Sequence, residues 1–183
     1  MKLIINCLIL FISLNTFSQS EEKSLKKLEV GIELEIYPVG YMPTITSNIF
    51  IKETWALRFR LGANFADRKD LSGLNDSEVA KGFGVSAGIV KYFRVCKGNI
   101  IAGFTTDFWS MKTEWEDNNI KGTTTNLVVQ PWINSGYLYT ISTKINAGIT
   151  LGIGREINIL NKGEEVGQGW IGMATFSINY SLN

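Results

Sequence analysis

Apolar and polar positions alternate with a period of two along most of the chain. In LEVGIELEIY, residues 28–37, Val30, Ile32, Leu34 and Ile36 share one parity, and Glu29, Gly31, Glu33 and Glu35 share the other. ALRFRLGANFA, from Ala56, sets Leu57, Phe59, Leu61 and Phe65 against Arg58, Arg60, Gly62 and Asn64. GFGVSAGIVKYF, KINAGITLGIG and the terminal TFSINYSLN repeat the arrangement. Successive strand side chains point to opposite faces, so each of these segments predicts a β-strand with one apolar and one polar side. TITSNIFIK, IIAGFTTDFW and TTTNLVVQPWINSGYLY alternate less cleanly and bring the number of predicted strands to eight. No stretch after the first 20 residues has the periodicity of an amphipathic helix.

The breaks between strands have their own order. PVGYMP and KETW interrupt the first two hairpins, and RVCKGN and TIST are compact turns. Residues 67–81, DRKDLSGLNDSEVAK, and residues 110–122, SMKTEWEDNNIKG, read as long polar connections, as does NILNKGEEVGQG. Short links therefore follow strands two, four and six, and longer ones follow strands three, five and seven. Two residues disturb the pattern. Lys91 falls on an apolar parity, which predicts either a bulge or an ammonium that reaches an interface. Pro131 has no amide hydrogen, which predicts a local irregularity.

Alternation leaves two assignments of the faces open. In a soluble, lipocalin-like cup the apolar parity would point inward and bind a small apolar ligand. In an outer-membrane barrel it would point outward to lipid, around a polar interior. The polar parity is rich in glycine, at Gly31, Gly62, Gly84, Gly88, Gly103, Gly148, Gly152 and Gly154, which suits the crowded interior of a narrow barrel.

The N-terminus favours export. Met1-Lys2 precedes the 12-residue apolar run LIINCLILFISL, which is too short to span a bilayer as a helix and is followed by small and then charged residues. This is the layout of a secretory signal peptide, expected over residues 1–19 with a charged linker at 20–27 and the barrel at 28–183. Composition, at 45% hydrophobic and 19% charged, is compatible with a membrane barrel. Loss of Lys2 with the signal leaves 17 basic and 17 acidic residues, so no general basic footprint for nucleic acid exists. Cys7 leaves as well, and Cys96 has no intramolecular disulfide partner.

The chain contains no histidine, which excludes Ser-His-Asp and Cys-His catalysis and every histidine-containing metal site. No cofactor motif is complete, and a non-enzymatic role is expected. With Glu29, Glu33 and Glu35 on the first strand and Arg58 and Arg60 on the third, two strand spacings, about 10 Å, separate the opposite charges. Long side chains bridge that gap, so a luminal salt-bridge network is expected, with Asp107 and Lys144 as further members. Eight strands leave an interior just wide enough to fill with side chains, so this network is expected to plug the lumen rather than to gate a channel. Trp55, Phe93, Phe108, Tyr137, Tyr139 and Trp170 lie near strand ends, as interfacial girdles require.

GYLY at a strand end, the glycine-bearing INAGITLGIG and the terminal FSINYSL make the chain resemble the small eight-stranded OmpA/OmpX-like outer-membrane β-barrels. The resemblance covers nearly all of the chain after the signal. It implies an all-β, antiparallel up-and-down transmembrane barrel in a Gram-negative cell envelope, with outer-membrane lipid as surroundings and the barrel-insertion machinery as a partner during biogenesis. It implies that Phe176, Ile178, Tyr180 and Leu182 form the insertion signal, although the family usually ends on an aromatic residue and this chain ends Leu182-Asn183. Residues 67–81 and 110–122 are the expected places for a surface ligand.

Overall fold

The computed structural model describes residues 27–69 and 74–182. The expected signal peptide, most of the linker and Asn183 lie outside the described residues. Eight strands follow one another: β1 (Leu28–Tyr37), β2 (Gly40–Lys52), β3 (Trp55–Asp67), β4 (Ser77–Val95), β5 (Gly98–Asp117), β6 (Ile120–Thr140), β7 (Ile145–Lys162) and β8 (Gly169–Ser181). Each pairs antiparallel with its neighbours in the chain, and β1 closes the ring on β8. Closure leaves no free sheet edge.

The stagger of this ring can be read from its ladder. Stepping between paired residues from Ser181 through Glu29, Asn48, Arg58, Gly88, Thr105, Trp132 and Gly154 returns to β8 at Ile171, ten residues from the start. Ten residues of rise, about 33 Å, over eight strand spacings of about 4.8 Å tilts the strands by roughly 40°. That tilt fixes the height of the wall.

The faces are inverted relative to a soluble protein. Ile32, Leu34, Ile45, Leu61, Phe83, Val85, Ile149, Leu151, Phe176 and Ile178 are exposed on the outside. Glu29, Glu33, Glu35, Arg58, Arg60, Asn64 and Asp107 are buried inside. On β4 the outward positions between Lys91 and Lys81 are Ile89, Ala87, Val85 and Phe83. Ten residues tilted at roughly 40° span about 25 Å, the height of the apolar band on membrane barrels. The same separation lies between Tyr180 and Trp170 on β8.

Two clusters of apolar side chains lie inside the ring. Phe50, Ala56, Val90, Tyr92, Ile101 and Leu138 form a floor next to the short turns. Met42, Met111, Met173, Trp109 and Trp132 belong to a second cluster higher up. Luminal glycines make room for the indoles: Gly84 pairs across the ladder with Trp109, whose ring occupies the space that a side chain at 84 would need.

Several expected boundaries move. Residues 110–122 form a hairpin rather than a loop, because β5 runs to Asp117 and β6 starts at Ile120. Asn118 and Asn119 make the turn with φ of 49° and 65°, a left-handed pair that asparagine tolerates and tight hairpins require. Residues 67–81 are only partly a connection, since β3 ends at Asp67 and β4 starts at Ser77. Tyr41, Met42 and Pro43 belong to β2, and the first turn shrinks to Pro38-Val39. The two strand prolines interrupt one ladder each. Pairing of β2 with β3 skips Met42 and Pro43, and pairing of β6 with β7 skips Gln130 and Pro131, as residues without an amide hydrogen dictate. The β3–β4 register stays continuous through Lys91, so that residue needs no bulge.

Candidate functional site

Among the described residues, the barrel interior is where the fold gathers buried charge from several strands. Inward parity on β1 aims Glu33 and Glu35 at Arg58 and Arg60 of β3, with β2 between them. Arg60 is the hub. Its Nη1 donates to Glu35 Oε2 at 2.6 Å, its Nη2 donates to Asp107 Oδ2 at 3.3 Å, and Glu33 Oε2 lies 3.6 Å from Nη1. The guanidinium sits over the Trp132 ring, 5.1 Å from its centroid. Side chains of β1, β5 and β6 thus meet on one β3 cation in mid-lumen. Arg58 lies 3.6 Å from Glu33 Oε1 and donates through Nε to Asn48 at 2.9 Å.

The other expected members of the network fall at its edge or outside it. Glu29 stands lower, accepting from Ser181 Oγ at 3.1 Å and pairing with Lys27 Nζ at 2.7 Å. Lys144 is not luminal. It is exposed in the turn before β7, with its ammonium 5.9 Å from the Tyr180 ring centroid. Lys144 precedes the first paired residue of β7, Ile145, where alternation no longer sets direction.

A second charged cluster closes the end of the barrel opposite the short turns. Arg68 Nη1 donates to Glu78 Oε2 at 3.3 Å, and its Nη2 donates to Glu156. Burial opposes the charge of Arg68, but Glu156 and Glu78 outweigh it and hold the guanidinium above its ordinary range. Glu156 Oε2 accepts from Gln130 Nε2 at 3.1 Å, while Gln130 Oε1 accepts from Trp109 Nε1 at 2.8 Å. Glu78 also accepts the backbone amide of Gly167, at 3.0 and 3.1 Å. That clasp seats the β7–β8 connection over the mouth and buries Val166. Arg68 and Glu78 lie within the polar stretch 67–81, whose composition gives no sign of a buried cluster. One signal was present: Glu156 shares the parity of Gly152 and Gly154.

On the outer face, Phe176, Ile178, Tyr180 and Leu182 are exposed in or just beyond β8, between β7 and β1. Lys91 reaches the short-turn rim, donating to Thr54 Oγ1 at 2.9 Å with its ammonium 4.8 Å from the Trp55 ring and 5.8 Å from the Phe93 ring. Trp55, Phe93 and Tyr139 lie at that rim and Trp170 at the other; Phe108 and Tyr137 lie on β5 and β6, inward from the rims. Among the described residues no group of three or more Cys, Asp or Glu side chains is placed to hold a metal ion.

No family model and no curated protein matches the chain. Solved structures match it in fold. A major outer membrane protein from Thermus thermophilus aligns at a TM-score of 0.60 with 11% identity, over 86% of this chain and 100% of that one. The N-terminal β-barrel domain of Pseudomonas aeruginosa OprF aligns at 0.52 with 10% identity, covering 86% and 98%. Ail, the attachment invasion locus protein of Yersinia pestis, aligns at 0.51 with 9% identity, covering 86% and 97%. The fold of the chain is that of the small eight-stranded outer-membrane β-barrels.

Proposed function

We propose that the chain is a non-enzymatic outer-membrane protein of a Gram-negative cell, with a structural or surface-interaction role. The observation that carries this reading is the continuous apolar outer wall, about 25 Å high, around an interior of buried charge. Such a wall is stable in hydrocarbon and costly in water. A soluble cup for an apolar ligand would need the opposite arrangement. The contacts that converge on Arg60 from three other strands support a plugged lumen rather than a porin-like passage.

On this reading the signal peptide directs export, and the outward residues Phe176, Ile178, Tyr180 and Leu182 present the final strand to the insertion machinery. The short turns face the periplasm and the longer hairpins face outward. Residues 67–81 and 110–122 are then the surface that a ligand meets.

Cys96, exposed in the β4–β5 turn, makes the orientation testable. A membrane-impermeant maleimide is expected to leave Cys96 unlabelled in intact cells and to label it once the outer membrane is permeabilised. In a Cys96→Ser background, Lys121→Cys near the tip of the β5–β6 hairpin is expected to label in intact cells. Labelling of Cys96 in intact cells, or recovery of the protein in the soluble fraction, would contradict the proposal.

A further inference from the structure

Lys81 and Lys112 face each other directly across the β4–β5 ladder, and both are exposed on the outer wall. Directly opposed residues hold their Cβ atoms about 5 Å apart, and like charges so placed are unfavourable. The next outward positions toward the short turns are apolar or small, with Phe83 opposite Ser110 and Val85 opposite Phe108. The pair therefore stands immediately above the apolar band. Two basic groups at the opposite rim have partners within the protein: Lys91 in Thr54, Trp55 and Phe93, and Lys27 in Glu29. Lys81 has no ion-pair partner among the described residues. Lys112 lies 3.7 Å from Glu114, a pair with both side chains more than half exposed, which is worth little in stability.

We propose that Lys81 and Lys112 bind the phosphate of a phosphorylated lipid in the outer leaflet, with its acyl chains lying along Phe83 and Phe108. The proposal rests on the membrane reading above. A phosphate between two ammonium groups relieves their repulsion and makes charge-assisted hydrogen bonds. The apolar wall beneath takes the chains of the same molecule, which free phosphate cannot use. The site selects a headgroup at one depth only, because the next outward residue on β4 in either direction, Phe83 or Val79, is uncharged.

The test reconstitutes the folded full-length barrel in phosphatidylcholine vesicles doped with lipid A and measures lipid A retained per protein after mild detergent extraction. The wild type is expected to retain at least about tenfold more than Lys81→Gln/Lys112→Gln, given the attraction of each lysine to an anionic surface. Lys121→Gln/Lys162→Gln, which removes two other exposed lysines, is expected to match the wild type. Inorganic phosphate in large excess is expected not to displace the lipid. Equal retention by both double variants, or displacement by phosphate alone, would overturn the proposal. Heat-dependent gel mobility in the same samples reports folding in the bilayer, so a failed site is distinguishable from a failed membrane reading.

Discussion

Replacing Arg60 with methionine is expected to destabilise the folded barrel by about 3–5 kcal/mol, the cost of stranding buried charges whose partner is removed. Three carboxylates, Glu33, Glu35 and Asp107, converge on this one guanidinium, and the side chains of Arg60 and Glu35 have no solvent exposure. Without it, Arg58 is the cation that remains nearby among the described residues, 3.6 Å from Glu33. Lysine does not substitute well, because a point ammonium cannot reach Glu35 and Asp107 through two separate donors as the planar fork does. Neutralising the orphaned acids supplies the control: Arg60→Met with Glu35→Gln and Asp107→Asn is expected to recover most of the loss, since amides carry no charge to strand. Urea unfolding of the lipid-reconstituted protein reads both variants. A loss below about 1 kcal/mol for Arg60→Met would mean that the cross-lumen pairs do not brace the ring.

Replacing Ile45 with arginine is expected to cost roughly 2–4 kcal/mol in a bilayer, while Trp170→Arg costs roughly 0–1. Ile45 is equidistant along β2 from Tyr41 and Ile49, and its ladder neighbours Ile32 and Leu61 are also exposed and apolar. Trp170 is exposed at the rim of the wall, opposite Arg155. Both positions are more than half exposed, so in water Ile45→Arg would be neutral or aid solubility and Trp170→Arg would cost only mild repulsion from Arg155. Only hydrocarbon makes Ile45→Arg the costlier of the two, and it does so by depth. Equal effects at the two sites, read from urea midpoints in vesicles, would count against the lipid-facing assignment.

Different parts of the barrel are legible in the sequence to different degrees. The clean alternation of β1, β3, β7 and β8 was enough to place their strands, because each has one face of Ile, Leu, Phe or Val and one of small or charged residues. Alternation could not say which face met water; the packing of Glu35, Arg60 and Asp107 into one buried cluster does. The upper parts of β4 to β6 were illegible for a different reason. Met111, Thr113 and Trp115 alternate there with Lys112, Glu114 and Glu116, so neither face is plainly apolar and the segment reads as a polar loop. The pairing of Asn118 and Asn119 was the available hairpin signal, and its left-handed geometry emerges only in the fold.

Lys144 shows the limit of parity counting. It precedes the first paired residue of β7, and its side chain turns to the Tyr180 ring rather than to the lumen. Glu156 shows the converse. Its parity placed it inside all along, but its partners Arg68 and Gln130 lie 88 and 26 residues away, on separations that no local pattern encodes.

Folding in the presence and absence of lipid tests the central claim most directly. A chain of residues 20–183, diluted from urea into buffer with phosphatidylcholine vesicles, is expected to acquire β-sheet circular dichroism and a heat-dependent shift in gel mobility. Without vesicles or detergent it is expected to do neither. A cooperatively folding, soluble monomer in plain buffer would contradict the account, because the apolar wall would then have to face water.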